Sequence, residues 1–171
     1  KIFGVPFVVA LNLFPADHQS EIKLWTELIK EEKARYALSD VYNQGGEGGL
    51  ELAAEVMKAM SEDKTNFQFL YPADQPLLKK VEAIALKIYG ADGVKVETGA
   101  RKKIELYEQL GLSNLPVCVA KTQASLSDDS KKIGRPRGWN LTLTNASLSS
   151  GAGFVVVHCG DIMTMPGLPK A

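Results

Sequence analysis

A near-continuous apolar run rich in valine, from Val5 to Asn12, constrains this chain more than any other stretch. Without polar alternation, it has the pattern of a central parallel strand covered on both faces. Parallel strands need crossover connections, and the sequence supplies them. Glu21 to Glu32 places Ile22, Trp25, Leu28 and Ile29 at helical spacing, and Tyr36 to Ser39 reads as a second short strand. Gly45-Gly-Glu-Gly-Gly49 then turns into a helix with Leu50, Ala53, Ala54, Val56, Met57 and Met60 on one face. Beyond the polar linker Ser61–Asn66, Phe67–Tyr71 is expected to be a third strand that Pro72 stops. A helix from Pro76 to Tyr89 should end at Gly90.

The second half changes character. Gly93–Val96 reads as a strand, and Thr98 as the N-cap of a helix that reaches Leu110 and closes at Gly111. Pro116–Ala120, Trp139–Thr144 and Phe154–Val157 are strand-like, separated by a polar, turn-rich loop through Ser125–Ser130 and Gly134–Gly138. Met163–Pro169 reads as an irregular tail. The expected fold is α/β: a parallel or mixed sheet with flanking helices over residues 1–92, followed by a smaller, β-richer mixed α/β domain over 93–171.

Twenty basic and twenty acidic residues leave no net charge, so no long-range field draws in nucleic acid or an anionic membrane. No apolar run reaches the roughly 18 residues a membrane span requires. The first ten residues carry no A-x-A cleavage site and read as core rather than as a leader. The chain begins without Met and inside its first strand, which suggests a piece of a longer polypeptide. Cys118 and Cys159 lie far apart with no zinc-ligand spacing, so no metal site is expected and a reducing compartment fits. The sequons at Asn140 and Asn145 fall in strand-like sequence and are read as chance.

The loops expected at the carboxyl ends of the first two strands each carry an aromatic residue, Phe14 and Tyr42. Open α/β sheets bind ligands at those ends, and two rings there can clamp a flat conjugated ligand. Covering a seam between loop and core is the competing reading. Gly45, Gly46, Gly48 and Gly49 around Glu47 open a helix and form a candidate anion or ligand loop, although the Glu47 carboxylate would repel phosphate unless it caps the helix. A tight structural turn is the plainer alternative.

Other features point less to chemistry. Gly151-Ala-Gly153 lacks the third glycine and the strand-then-helix order of a dinucleotide loop. His18 is expected in solvent and His158 as a satisfied core histidine. Asp128-Asp129 reads as a solvated loop, and Arg135 and Arg137 as a weak anion candidate. No G-x-x-x-x-G-K-[ST] loop occurs in the chain.

Six blocks carry a resemblance: Val5–Pro15, Tyr42–Gly49, Ile88–Val94, Asn114–Gln123, Gly151–Phe154 and Gly160–Pro169. Read in order they strongly resemble formate–tetrahydrofolate ligase, in its C-terminal portion. The resemblance implies that formate takes the γ-phosphoryl group of ATP to give formyl phosphate, and that N10 of tetrahydrofolate then attacks the formyl carbon. It implies that Phe14 and Tyr42 sandwich the pterin, with Leu38 lining the same pocket. Where many members carry Trp, this chain has Tyr42, which stacks over a smaller area.

The resemblance further implies a P-loop domain upstream in the same polypeptide, a homo-oligomer at full length and, as an open question, a monovalent cation. The isolated chain is then expected to be inactive and to bind none of these groups firmly. It assigns no catalytic residue among those quoted. An intracellular protein is expected, in the cytoplasm first, with mitochondrion or plastid as alternatives. A non-catalytic folate-binding module and an oligomerisation module stay open beside the ligase reading.

Overall fold

The structure, a computed structural model, describes residues 1–160 and residue 162, so the tail from Met163 to Pro169 lies outside the described residues. The chain divides into two compact units, Lys1–Gln68 and Phe69–Ala171. Both are α/β, with helices flanking a parallel sheet in the first and a mixed sheet in the second.

The first unit runs β1 (Val8–Asn12), α1 (Gln19–Glu31), β2 (Arg35–Ser39), α2 (Val41–Gln44), a 3-10 turn (Gly45–Gly49) and α3 (Leu50–Glu62). β1 and β2 pair in parallel, Val8 opposite Arg35 and Asn12 opposite Ser39. The alternation along β2 explains its layers. Ala37 and Ser39 are buried, while Tyr36 meets Trp25 of α1 edge-on at 6.1 Å between ring centroids.

Two strand expectations need correction. Among the described residues this sheet has two strands, so β1 has one hydrogen-bonded neighbour rather than two, and Val5 and Phe7 are exposed. A valine-rich run therefore reports what a strand could bury, not how many neighbours it has. Phe67–Tyr71 also forms no strand. Asn66 N–H donates to the Gly4 carbonyl at 2.8 Å and Gln68 N–H to the Phe3 carbonyl at 3.0 Å, without forming a regular ladder. Pro6, two residues on, has no N–H with which to extend a ladder.

At the start of β2, Arg35 gathers three carboxylates. Its guanidinium grips Asp63 with two bonds of 2.7 and 2.9 Å and reaches Glu55 and Glu62 at 2.8 Å each. Hydrogen bonding to Arg35 holds the Asp63 and Glu55 carboxyls below their ordinary values of 3.8 and 4.5, with desolvation working the other way. Depressed carboxylates stabilise the fold above their unfolded-state pKa, and that contribution is lost as pH falls through the folded one. The unfolding midpoint should therefore drop as pH falls below about 4. In Arg35→Met the acid limb should be shallower, because three carboxylates without a counter-charge gain from protonation. Thermal melts from pH 7 to pH 3 measure both slopes.

The second unit carries α4 (Leu77–Ile84) continued by a π turn (Ala85–Tyr89), β3 (Gly93–Val96), α5 (Thr98–Gln109), β4 (Val117–Ala120), β5 (Asn140–Ser149) and β6 (Phe154–Cys159). Its sheet has the order β3-β5-β6-β4, with β3 parallel to β5, β4 parallel to β6, and β5 antiparallel to β6. Leu77 and Val81 of α4, Ile104 of α5, and Leu141, Val155 and Val157 of the sheet share one buried core.

That core explains why the division expected at residues 92 and 93 falls inside this unit: α4 buries its apolar stripe against the same sheet that β3 joins. The second unit is accordingly the longer one. Its helical segments end at Gly90 and Gly111 as expected, both left-handed at φ 72° and 75°. The N-cap of α5 is Glu97 rather than Thr98, which is already helical. Among the described residues no helix is long and apolar enough to cross a membrane.

Candidate functional site

Because Asn12 and Ser39 face each other in register, the chain leaves both parallel strands at the same end, and the two aromatic loops begin side by side. Leu13 N–H donates to the Ser39 carbonyl at 2.9 Å and ties the first loop to β2. The Asp17 carboxylate then accepts from Phe14 N–H at 2.7 Å, and Asp17 N–H returns a bond to the Phe14 carbonyl at 3.0 Å. Phe14 stands on this closed turn.

Tyr42 stands on α2, a single turn organised by Asp40. The Asp40 carbonyl accepts from Asn43 N–H at 3.2 Å and Gln44 N–H at 3.0 Å. Its two carboxylate oxygens accept from the Asn43 and Gln44 side-chain amides at 2.5 Å each. Asp40 N–H donates to the Gly48 carbonyl at 2.9 Å.

The two rings meet. Their centroids lie 5.3 Å apart with planes tilted by 59°, and both rings are exposed, Phe14 at 49% and Tyr42 at 71%. A flat ligand stacked between two rings needs them parallel and about 7 Å apart, two contacts of about 3.5 Å each. In this structure the rings touch each other instead, in a tilted contact of favourable aromatic geometry. Leu38 lies half-buried next to the carboxyl end of β2, opposite Leu11.

The glycine-rich segment is a 3-10 turn rather than an extended loop. Gly49 is the N-cap of α3, so Glu47 stands outside the capping position, exposed. Three of the four glycines have a backbone or steric reason; for Gly49 it is Val41, whose Cγ2 would lie 3.2 Å from an added β-carbon. Gly45 has φ 58°, and a β-carbon on Gly48 would lie 2.2 Å from the Asp40 carbonyl oxygen.

The remaining candidates scatter. His18 is the exposed N-cap of α1, with its N–H donating to Glu21. His158 is half-buried on β6, with Nε2 2.9 Å from Ser147 Oγ. Asp128 accepts from Thr142 N–H at 2.7 Å and Asp129 from Lys131 N–H at 2.9 Å, so both carboxylates serve the loop itself. Arg135 and Arg137 are exposed. Gly151-Ala-Gly153 lies in the β5–β6 hairpin turn. Cys118 is exposed and free; Cys159 is buried and free, its thiol pushed up to about 12 by desolvation. Among the described residues no group of three or more metal-ligating side chains converges.

Sequence reasoning passed over Asp17 and Asp40. A signal existed, since an Asp bonding local backbone or amides within three or four residues is ordinary turn chemistry. Lys121 was also passed over: its Nζ lies 4.9 Å from the Tyr89 ring centre, donates to the Ser125 carbonyl, and is held below its ordinary pKa by burial.

Paired exposed rings thus stand at the carboxyl ends of adjacent parallel strands in an α/β protein. Residues 1–171 match the family model described as formate–tetrahydrofolate ligase. The chain belongs to that family, whose members use ATP, formate and tetrahydrofolate as substrates.

Proposed function

We propose that this chain supplies the pterin-stacking surface of a formate–tetrahydrofolate ligase, with Phe14 and Tyr42 closing on the two faces of the heterocycle and Leu38 lining the pocket. The observation that carries this reading is the direct contact of two exposed rings borne by turns on neighbouring parallel strands. Exposed rings in mutual contact can exchange that contact for two stacked faces at little cost in buried area. The ligand then separates them by about 2 Å and brings their planes parallel.

In this proposal the chain corresponds to the C-terminal portion of the enzyme. A P-loop domain upstream in the same polypeptide holds the phosphates of ATP, and the 171-residue chain alone is inactive. The stacking pair acts by orientation. It holds the pteridine so that N10 faces the formyl carbon of formyl phosphate, where attack forms the C–N bond and expels phosphate. The turn Gly45–Gly49, with Glu47, shapes the same end of the sheet through its contact with Asp40.

Titration of tetrahydrofolate against the complete ligase tests the assignment. Phe14→Ala and Tyr42→Ala should each weaken binding by roughly tenfold, one stack being worth on the order of 0.5–1.5 kcal/mol beyond area burial. Tyr42→Trp should tighten it. Wild-type affinity in both alanine variants would remove the stacking assignment while leaving family membership untouched.

A further inference from the structure

Resting on the stacking reading, we infer that Asp40 is a positioning residue for tetrahydrofolate binding, fixing where Tyr42 stands without touching the ligand. Tyr42 is 71% exposed, so surrounding side chains do little to hold its ring and its backbone decides its place. That backbone lies in a four-residue helix, far shorter than a helix that persists on its own. Glycines follow it directly at positions 45 and 46 and add freedom rather than restraint. Something else must hold the turn, and five bonds to one residue do so.

Asp40 brackets Tyr42 from both sides. Its carbonyl and both carboxylate oxygens take the main-chain and side-chain donors of Asn43 and Gln44, while its own N–H fastens the turn to the Gly48 carbonyl. The two side-chain bonds, at 2.5 Å, are charge-assisted. All these bonds stay within residues 40–48, and Asp40 is half-buried and closes no core. Its loss should therefore shift the ring rather than unfold the unit. Phe14 is held differently, through Asp17 and through the Leu13 bond to β2, so it stays in place as a reference.

The test is a double-mutant cycle in the complete ligase, with steady-state KM values for all three substrates and an unfolding midpoint. Asp40→Ala should raise KM for tetrahydrofolate roughly three- to tenfold, up to the value of one ring stack, with KM for ATP and formate and the midpoint near wild type. In the Tyr42→Ala background the same substitution should raise it no further, because Asp40 acts through that ring. Asp40→Asn keeps the shape but turns an amide toward an amide, and should fall between wild type and Asp40→Ala; it carries the cycle if the alanine variant does not fold.

Independent, additive rises from Asp40 and Tyr42 would overturn the inference. So would parallel rises in all three KM values with a lowered midpoint, which would make Asp40 a structural residue only. A raised KM in Tyr42→Ala with wild-type KM in Asp40→Ala would sink the positioning role and keep the stacking. An unchanged KM in Tyr42→Ala would remove the stacking reading itself, and this inference with it.

Discussion

Replacing Lys80 by Met should lower the unfolding free energy by about 3 kcal/mol, while Lys79→Met, one residue away, should change it by less than about 0.5 kcal/mol. Lys80 is fully buried in α4, the largest fully buried side chain among the described residues. Its ammonium donates to the carbonyls of Ala73 at 2.6 Å, Leu115 at 3.0 Å and Ser113, and lies 5.8 Å from the Tyr71 ring centre. Three donors meet three acceptors, so the group is satisfied although it sits out of water. It ties the loop before α4 to the segment that leads into β4.

Two effects compete in the substitution. Desolvation holds the Lys80 ammonium below its ordinary pKa, with Asp74 working against it, so removing the charge relieves a real cost. Exchanging a whole buried ion pair for apolar groups can be neutral for that reason. Here the acceptors are main-chain carbonyls, and no substitution at position 80 removes them. They keep their desolvation cost and lose their donor, at about 1–3 kcal/mol for each acceptor that water cannot reach. That term wins. Lys79 forms an exposed pair with Glu82 at 2.7 Å, and such pairs are worth little. Urea denaturation of both variants decides the matter: equal midpoints would show that the carbonyls find other donors and that Lys80 is no strut.

Lys80 also marks where the sequence stops being legible. In Leu77-Leu-Lys-Lys-Val81 the two lysines look alike, both spacing an amphipathic stripe, and periodicity treats both as solvent-facing. Only tertiary structure brings the carbonyls of residues 113 and 115 over one of them. The same limit separates what could be read of the first unit from what could not. A strand, a glycine turn and a helix in succession are local facts, and β2, the turn and α3 lie where the pattern puts them. The number of neighbours β1 has is not local, so a run fit for a central strand sits in a sheet of two. The division at residues 92 and 93 follows a change from mostly helical to β-richer patterning, but a core shared by α4 and β5 follows contacts between segments sixty residues apart in sequence.

The candidate site was more accessible for a physical reason. If two strands are parallel neighbours, the loops leaving their carboxyl ends must start together, so residues two or three past each strand end become neighbours without knowledge of any side chain. Phe14 and Tyr42 meet this condition and touch. The tilt and contact of the rings depend on turn geometry set by Asp17 and Asp40, which strand pairing does not encode.

The glycine turn yields the second large effect, because its four glycines are not equivalent. Gly48→Ala should cost on the order of 1–3 kcal/mol in stability and more than tenfold in tetrahydrofolate binding, whereas Gly46→Ala should leave both nearly unchanged. A β-carbon on Gly48 would lie 2.2 Å from the Asp40 carbonyl oxygen, 2.4 Å from its carbon and 2.9 Å from Val41 nitrogen, all main-chain atoms that no side-chain rotation can clear. The chain must move, and what moves is the residue pair that starts the Tyr42 turn, breaking the Asp40 N–H bond to the Gly48 carbonyl. A β-carbon on Gly46 meets nothing within 4 Å, and its φ lies outside the left-handed range. Gly45→Ala should fall between, strained by φ 58° in open space. This ordering separates two roles for the segment. An anion cradle needs close ligand approach along the whole turn, so Gly46→Ala would impair binding while the fold stayed intact. A packed structural turn needs Gly48 and Gly45, and to a lesser degree Gly49 beside Val41, but not Gly46. Binding that falls equally in Gly46→Ala and Gly48→Ala would favour the cradle and count against a purely structural turn. The order Gly48, Gly45, Gly46 would make the segment the seat on which the Tyr42 turn rests.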